Sequence, residues 1–474
     1  MPFARSARPE VLPSLAHARR LPFWLDDPDR PEARPALTEH RTADLLVVGG
    51  GFSGLWAALR ALERDPGRRV VVIDADRVAS QAAGRNGGFM AASLTHGLVN
   101  GLERWPSELP TLHRLGMDNL DAIEKTIRDR DIPCDFVRDG ELTVATEEYQ
   151  VAGLYEYADI AASVGDPVQV LSGEQVRARV MSPTYVGAVH TPNSTAVVNP
   201  ARLAWGLLAA LEQAGGSIFE HTPAVSFEAR PGGRGVTVRT PYASIDAEKV
   251  VVATGAAPSP LRRTRAYIVP VWDYVLMTEP LSADQSASLG WSDFAGIGDA
   301  GNQFHYYRRT ADGRILWGGY DAIYHWRNGW GPQFDANQES FARLADHFFA
   351  TFPQLDGLRF THTWGGAIDT CSRFSAFWGT AYGGALSYVA GYTGLGVGAS
   401  RFGADTALDL VDGLSTERTE LEMVRTKPLP FPPEPLRSVG IHLTRRALEK
   451  ADRSEGRRGP WLRTLDRLGL GFDS

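Results

Sequence analysis

The chain has 474 residues, with 49 Lys and Arg against 56 Asp and Glu for a formal charge of −7, which excludes a general nucleic-acid binder. Hydrophobic residues at 43% and charged residues at 22% are those of an ordinary globular enzyme, and the length points to two or three structural units rather than one core. Cys134 and Cys371 lie far apart without C-x-x-C spacing, so a disulfide scaffold and a zinc site are excluded, no metal is expected, and a reducing, cytoplasmic setting fits.

Residues 1–42 read as a polar, proline-rich arm lying on the folded body. Arg19-Arg20 before Leu-Pro-Phe-Trp-Leu has the look of a twin-arginine export signal, but Asp26 and Asp27 end the apolar stretch well short of the ~7–15 residues of a signal core. No segment approaches the ~20 apolar residues of a membrane span. Leu45 to Val48 then form a β-branched run suited to a strand covered on both faces. Gly49, Gly51 and Gly54 follow in G-x-G-x-x-G spacing. Gly49 permits the tight turn, Gly51 lets the backbone approach a pyrophosphate, and Gly54 lets the next helix pack closely on the strand. That helix, expected from about Phe52 to Arg64 with Ser53 in its first turn, aims free amide hydrogens and its positive dipole end at the phosphates. A second buried strand, Arg69 to Asp74, ends on an acid about 20 residues beyond Gly54, where a carboxylate can accept both ribose hydroxyls of an adenosine. The competing reading is a glycine-rich turn in an α/β protein that holds no nucleotide.

A second glycine cluster, Ser80-Gln-Ala-Ala-Gly84-Arg85-Asn86-Gly87-Gly88, would be superfluous in a nicotinamide dehydrogenase. Its small residues can lie against a planar ring, with Arg85 or Asn86 reaching a phosphate or a ring heteroatom. A helix over Asn199 to Ala214, capped by Asn199 and opened by Pro200, leads into a strand from Ser217. Ala247 to Ala256 is a buried strand ending in Ala253-Thr254-Gly255. The stretch Tyr267 to Trp330 is dense in rings, including Trp272, Tyr274, Tyr306, Tyr307, Tyr320, Tyr324, Trp326 and Trp330, which as aromatic walls could bind a cation or, as the duller reading, fill a core. Within it, Gln303 to Arg308 alternates as a strand, with His305 and Tyr307 on one face and Tyr306 and Arg308 on the other. Arg308 is the candidate to grip a substrate carboxylate or a partner beside the cofactor, its alternative being a strand-end residue in a surface ion pair. Tyr306 and Tyr274 are further substrate-binding candidates, whereas His305 reads as a structural histidine. Tyr388-Val-Ala-Gly391-Tyr392-Thr393-Gly394-Leu395-Gly396-Val397 forms a closing strand-to-helix turn. After Glu417 a proline-rich connector leads to two short amphipathic helices, expected to pack on the body or across a homodimer rather than on a membrane.

Taken together, these motifs resemble the D-amino-acid oxidase and glycine oxidase superfamily of FAD flavoproteins. Ala83-Gly-Arg-Asn-Gly-Gly88 looks most like its γ-glutamylputrescine oxidoreductase branch, and Asp312 to Gly319 resembles the family's substrate-domain hairpin strand. The resemblance implies an α/β fold: a Rossmann-like FAD-binding domain from residues 43–103, 185–261 and 362–414, a substrate domain with a mainly antiparallel sheet from 104–184 and 262–361, and a C-terminal helical tail over 415–474. It implies cofactor contacts at Ala75, Ser80, Val225, Thr254, Gly255 and the turn from Gly391 to Gly396, and places Trp364 and Asp369 near the flavin. Two departures stand out. Many relatives carry histidine where this chain has Leu395, and Cys371 follows Thr370 instead of preceding a Tyr-Thr pair, so noncovalent FAD is expected. The implied activity is hydride transfer from the CH–NH group of an amine or amino acid to flavin, with imine hydrolysis and reoxidation by O2. The rivals are a dehydrogenase serving another acceptor and a flavin-binding subunit of a complex.

Overall fold

The computed structural model describes residues 3, 6–233, 235–468 and 470; the outermost parts of the expected arm and tail, residues 1, 2, 4, 5 and 471–474, lie outside the described residues. Two sheets carry the fold. The first runs in the order Phe377–Ala381, Leu386–Ala390, Ser244–Val252, Arg41–Val48, Val70–Ile73, Ser217–Phe219. Neighbours along this path are parallel except for the edge hairpin made by the first two, and Val236–Arg239 and Ser226–Ala229 add antiparallel strands beside Ser244–Val252. The apolar run Leu45 to Val48 is buried on both sides. Leu45 and Val47 meet the helices Phe52–Arg64, Pro200–Gln213 and Gly396–Asp412 on one face, and Leu46 and Val48 meet Val236 and Val238 on the other. Asn199 caps the second of those helices by accepting the amide of Arg202 at 3.1 Å, with Pro200 supplying the pre-set φ of its first position.

Register decides where the site lies. Val48 pairs with both Ile73 and Val252, and Val252 pairs with Tyr388. The Gly49–Gly54 turn, Asp74, Ala253–Gly255 and the Gly391 turn therefore leave the sheet at one end, the carboxyl ends of parallel strands, where ligands bind in open α/β sheets.

The second sheet has the order Ile323–Tyr324, Val269–Thr278, Ile315–Gly319, His305–Arg309, Gly296–Asp299, Glu141–Ala145, Gly187–Thr191, Gln169–Ser172, with Phe360–Thr370 along the other side of Val269–Thr278. It is antiparallel except between Gly296–Asp299 and Glu141–Ala145. One face packs under the helix Gln338–Thr351, where Trp272, Tyr274, Leu276, Tyr307 and Trp317 meet Phe341 and Phe348. Two expected boundaries cut strands of this sheet. Phe360–Thr370 pairs with Val269–Thr278 almost throughout, and Gly187–Thr191 sits between Glu141–Ala145 and Gln169–Ser172. Hydrogen bonding places both in the second sheet, although the segments beginning at 362 and 185 were expected to build the first.

The N-terminal arm is fastened to the second sheet by its backbone. The amide of Arg19 donates to the carbonyl of Thr361 at 2.8 Å, and that of Thr363 donates back to Arg19 at 2.9 Å. Beyond this clip Trp24 and Leu25 are buried with Val275, Met277, Leu316 and Trp364 on the face of the second sheet turned away from the covering helix. Among the described residues no helix is long and apolar enough to cross a membrane.

Candidate active site

Three glycines of the first turn answer to three different constraints. Gly49 has φ +118°, and a Cβ there would stand 2.3 Å from the carbonyl oxygen of Ala253. A Cβ on Gly54 would stand 1.8 Å from the carbonyl of Gly49, so helix and turn touch at that point. Around Gly51 a Cβ would meet nothing within 4 Å. Open space in front of a helix N-terminus is what a pyrophosphate needs. Phe52 is a core side chain, so only its backbone faces this space, and Ser53 donates to the hydroxyl of Tyr392 at 2.8 Å, tying the turn to the closing loop. Asp74 accepts the Gly50 amide at 2.5 Å and the Asp76 amide at 2.8 Å, and burial pushes its carboxyl above the usual range. Ser80 is buried with its hydroxyl oxygen unpartnered by the protein, a group waiting for a ligand. Ala75 and Val225 stand at the surface, and the amide of Val225 already donates to Arg239, so neither builds an enclosing wall.

The second glycine cluster makes the short helix Ala82–Arg85 and the strand Phe89–Ala91. Gly84 is forced by contact: a Cβ there would sit 2.2 Å from the carbonyl of Ala79 and 2.6 Å from Leu25. The side chains expected to reach a cofactor are otherwise engaged. Asn86 accepts the Gly88 amide at 2.8 Å and donates to Ala82 and Ala83, and Arg85 donates to Ser80 and Gly365 while pairing with Asp335 at 2.8 Å. They shape the loop together with Gly88, whose amide goes to Asn86 and whose carbonyl accepts from Val198 and Arg308, and what remains to face a ligand is backbone at Gly87.

The closing turn is held from below by Asp369, which accepts the amides of Gly391 at 2.7 Å and Tyr392 at 3.2 Å. Burial pushes its carboxyl up to about 6 despite those donors. Thr393 takes a left-handed φ of 52° and bonds Gly391 through its hydroxyl, while Gly394, at φ +96°, has open space where a Cβ would be. Gly255, at φ +54°, is open in the same way. Leu395 packs against the first-sheet core and brings no polar atom, and Gly396 opens the helix Gly396–Asp412. Cys371 is buried with its thiol directed at the carbonyls of Ser375 and Gly391, and burial raises its pKa, so the thiolate needed for a covalent link is disfavoured.

Period-two alternation sorts the substrate candidates. His305 and Tyr307 point under the helix side, His305 bonded to Asp299 at 2.6 Å and His347 at 2.9 Å, Tyr307 to Tyr185 at 2.6 Å. Tyr306 and Arg308 point toward the second glycine cluster. Arg308 makes no surface ion pair: it is buried, donates through Nη1 to the carbonyls of Gly88 at 3.2 Å and Val198 at 2.8 Å, lies over the Trp24 ring, and keeps an Nε that no described residue meets. Burial lowers its pKa to about 10. Tyr274 is corrected outright. It shares the helix-side face with Trp272 and donates to Phe334 at 3.1 Å, so it cannot reach the cleft. The rings of Tyr267 to Trp330 accordingly form no single wall: Trp272, Tyr274 and Tyr307 are core, Tyr320 stacks on His305, and Trp326 is exposed.

Two groups were missing from the sequence expectations, Trp24 and Asp273. Trp24 donates to the carbonyl of Asn86 at 2.9 Å, and Trp364, expected near the flavin with its role open, donates to that of Arg85 at 2.8 Å, so two indoles pin the glycine loop. Asp273 accepts the Tyr306 hydroxyl at 2.5 Å. A lone acid inside the apolar strand Val269–Thr278 was the visible signal for it.

The turn, the acid, the glycine loop and the closing turn thus come together beyond the carboxyl ends of the first sheet's parallel strands. A family model described as FAD dependent oxidoreductase matches residues 44–410. The chain belongs to that family of FAD-dependent oxidoreductases. Its curated relatives include the gamma-glutamylputrescine oxidoreductase of Escherichia coli, 30% identical over 389 residues that make up 80% of this chain and 85% of that one. A probable oxidoreductase, OrdL, of Haemophilus influenzae is 26% identical over 83% of this chain and 90% of its own length. Among solved structures, glycine oxidase from Geobacillus kaustophilus shares the fold with a TM-score of 0.66 at 20% identity, covering 80% of this chain and 96% of that one. The L-proline dehydrogenase from P. horikoshii does so with a TM-score of 0.65 at 18% identity, over 79% and 95%. The open cradle at Gly51, Gly255 and Gly394 and the unpartnered Ser80 hydroxyl fit the family's FAD.

Proposed function

We propose that this protein oxidises the CH–NH group of an amine or amino acid with noncovalently bound FAD, and that it acts as an oxidase. The observation that carries the reading is the meeting of the glycine turn, Asp74, the Gly87 backbone and the closing turn beyond the carboxyl ends of the parallel strands, with the Tyr306 ring of the second sheet against Gly87. The match at 30% identity to a relative named gamma-glutamylputrescine oxidoreductase supports the substrate class. When bound, FAD would supply the two-electron acceptor for the substrate's hydride and the route to O2, with H2O2 as the by-product.

The chain's own residues do the rest. Amides at the start of the helix Phe52–Arg64 would hold the phosphates and Asp74 the ribose. Amides of the turn after Gly391, aligned by Asp369, would face the edge of the ring system where negative charge collects on reduction. Thr254 and Gly255 close the cleft from the third strand, and the product imine is hydrolysed by water. The second reading, a dehydrogenase that hands electrons to another acceptor, draws on Leu395, which leaves the closing turn without a polar side chain where many relatives carry histidine. Anaerobic bleaching of the flavin absorbance by a panel of primary amines, secondary amines and D- and L-amino acids tests the reaction, and H2O2 release in air tests the oxidase. Bleaching by alcohols alone would overturn the CH–NH assignment. A homodimer and a cytoplasmic location belong to the same proposal, and a sedimentation measurement checks the first.

A further inference from the structure

Asp273 and Tyr306 lie two strands apart in the second sheet, with Ile315–Gly319 between them. They meet because Gly318 is opposite Tyr306: a Cβ on Gly318 would stand 2.7 Å from the phenol ring and its oxygen. The ring leans over the bare glycine and its hydroxyl reaches Asp273 at 2.5 Å. From above, Gly87 of the cofactor loop closes on the same ring, where a Cβ would stand 2.6 Å away, and Phe89 meets it edge-on at 5.8 Å. On the other side of Asp273 its strand partner is Gly366, again without a side chain. A carboxylate and a phenol are thereby held directly beside the loop that the cofactor covers. Both residues are half-buried.

The charges around Asp273 do not balance it. Among the described residues no Lys, Arg or His stands within ion-pair distance, and its donors are the Tyr306 hydroxyl and the amide of Tyr274 at 2.8 Å, with a further backbone donor at Gly319. Arg85 is paired with Asp335, and Arg308 gives Nη1 to the carbonyls of Gly88 and Val198, keeps an unpartnered Nε, and forms no ion pair with Asp273. Asp321, the nearest other acid, is itself held by Arg343 and Arg445 and adds only repulsion. A carboxylate set into a cleft without a countercharge is costly unless a cation arrives to meet it.

We propose that Asp273, oriented by Tyr306, is the seat of the substrate's ammonium group and the acceptor of its proton. The inference rests on the amine reading above and names the residues that would make it specific. Ammonium binds as an ion pair against Asp273. One N–H bond then breaks with its electron pair left on nitrogen, and an O–H bond forms on Asp273, so a cation and an anion become a neutral amine and a carboxylic acid with no change in total charge. Burial pushes the Asp273 carboxyl up to about 7, high enough to hold that proton inside the cleft near neutral pH. A neutral amine is the form that can give up hydride, because its lone pair stabilises the cation left behind.

The test uses flavin-loaded enzyme and tert-butylammonium, which carries no hydrogen on the carbon next to nitrogen, with tert-butanol as the uncharged isostere. Calorimetry and the flavin visible spectrum report binding from pH 5.5 to 9.5. Wild type is expected to bind the ammonium at least tenfold tighter than the alcohol, with affinity falling as the pH drops below about 7 and Asp273 protonates. Asp273→Asn should lose that tenfold preference while keeping the flavin content and the affinity for the alcohol. Tyr306→Phe should keep the preference but move the acidic limb to higher pH, because the carboxylate has lost a donor. Equal binding of ammonium by wild type and Asp273→Asn, or no preference for ammonium in wild type, overturns the proposal. The wild-type pH profile decides alone should the Asp273→Asn protein fail to fold. Amines that bleach the flavin alongside an Asp273-independent ammonium affinity would sink the seat and spare the amine reading; Asp273-dependent binding with no amine able to bleach would do the reverse.

Discussion

A methyl group added at Gly51 would enter open space, whereas one added at Gly54 would press into the carbonyl of Gly49. The two glycines of one motif therefore predict opposite phenotypes. Gly51→Val should leave the apoprotein's unfolding midpoint within about 0.5 kcal/mol of wild type, as for a substitution into open space, and abolish flavin retention, read as the ratio of 450 to 280 nm absorbance. Gly54→Ala should destabilise the fold by about 1–3 kcal/mol through overpacking, read by denaturant unfolding. Asp273 adds a pH-dependent case. Its folded carboxyl titrates near 7, and the unfolded one near ~4. Between those values the folded state binds the extra proton, so this group's contribution falls as pH rises and is least favourable above 7. Asp273→Asn should accordingly stabilise the protein by about 2 kcal/mol at pH 8 in excess FAD, a value reduced from full linkage because water reaches the cleft, and by nothing measurable at pH 4. A variant less stable than wild type at pH 8 would refute the assignment. The glycine turn was legible because its whole logic is backbone chemistry within a few contiguous residues. Asp273 was not, because its partner Tyr306 reaches it across a glycine of a third strand, and that pairing exists only once register is known.

At the level of elements, the glycine loop is a backbone platform whose rigidity comes from elsewhere. Trp24 of the arm, Trp364 of the strand Phe360–Thr370 and Arg308 of His305–Arg309 each donate to one of its carbonyls or to a neighbouring one. Trp24→Ala should cost about 3–5 kcal/mol as a buried indole is emptied, and should speed flavin release, followed by fluorescence recovery on dilution. A variant with unchanged flavin release would show that the arm only covers the loop. Alternation within His305–Arg309 could be read from sequence, and the structure keeps it: Tyr306 and Arg308 share the cleft face. Tyr274 was misplaced because a dense run of rings does not reveal which of two faces looks at a helix. Gln338–Thr351, the helix that answers this, lies more than sixty residues further on. The same ignorance of pairing partners put the Phe360–Thr370 strand with the wrong sheet, since its small residues suit either.

At the scale of the whole molecule, the C-terminal segment is tied by polar contacts to loops of the second sheet. Glu434 accepts from Tyr324 at 2.6 Å, Arg445 pairs with Asp321, and Asp452 accepts the amides of Asn302 and Gln303. Ending the chain after Pro433 should therefore leave flavin content unchanged while raising KM several-fold, because Asp321 and the loop behind Tyr320 lose their support. Loss of flavin on truncation would contradict this division. The N-terminal clip carries a different consequence, one of timing. Arg19 is translated long before the edge it clips onto, Thr361 and Thr363. The indole that pins the loop must wait in the nascent chain until that edge has been made, so this arm is among the last pieces to be seated, and a bulky group attached beside it would hinder the closing step rather than the start of folding.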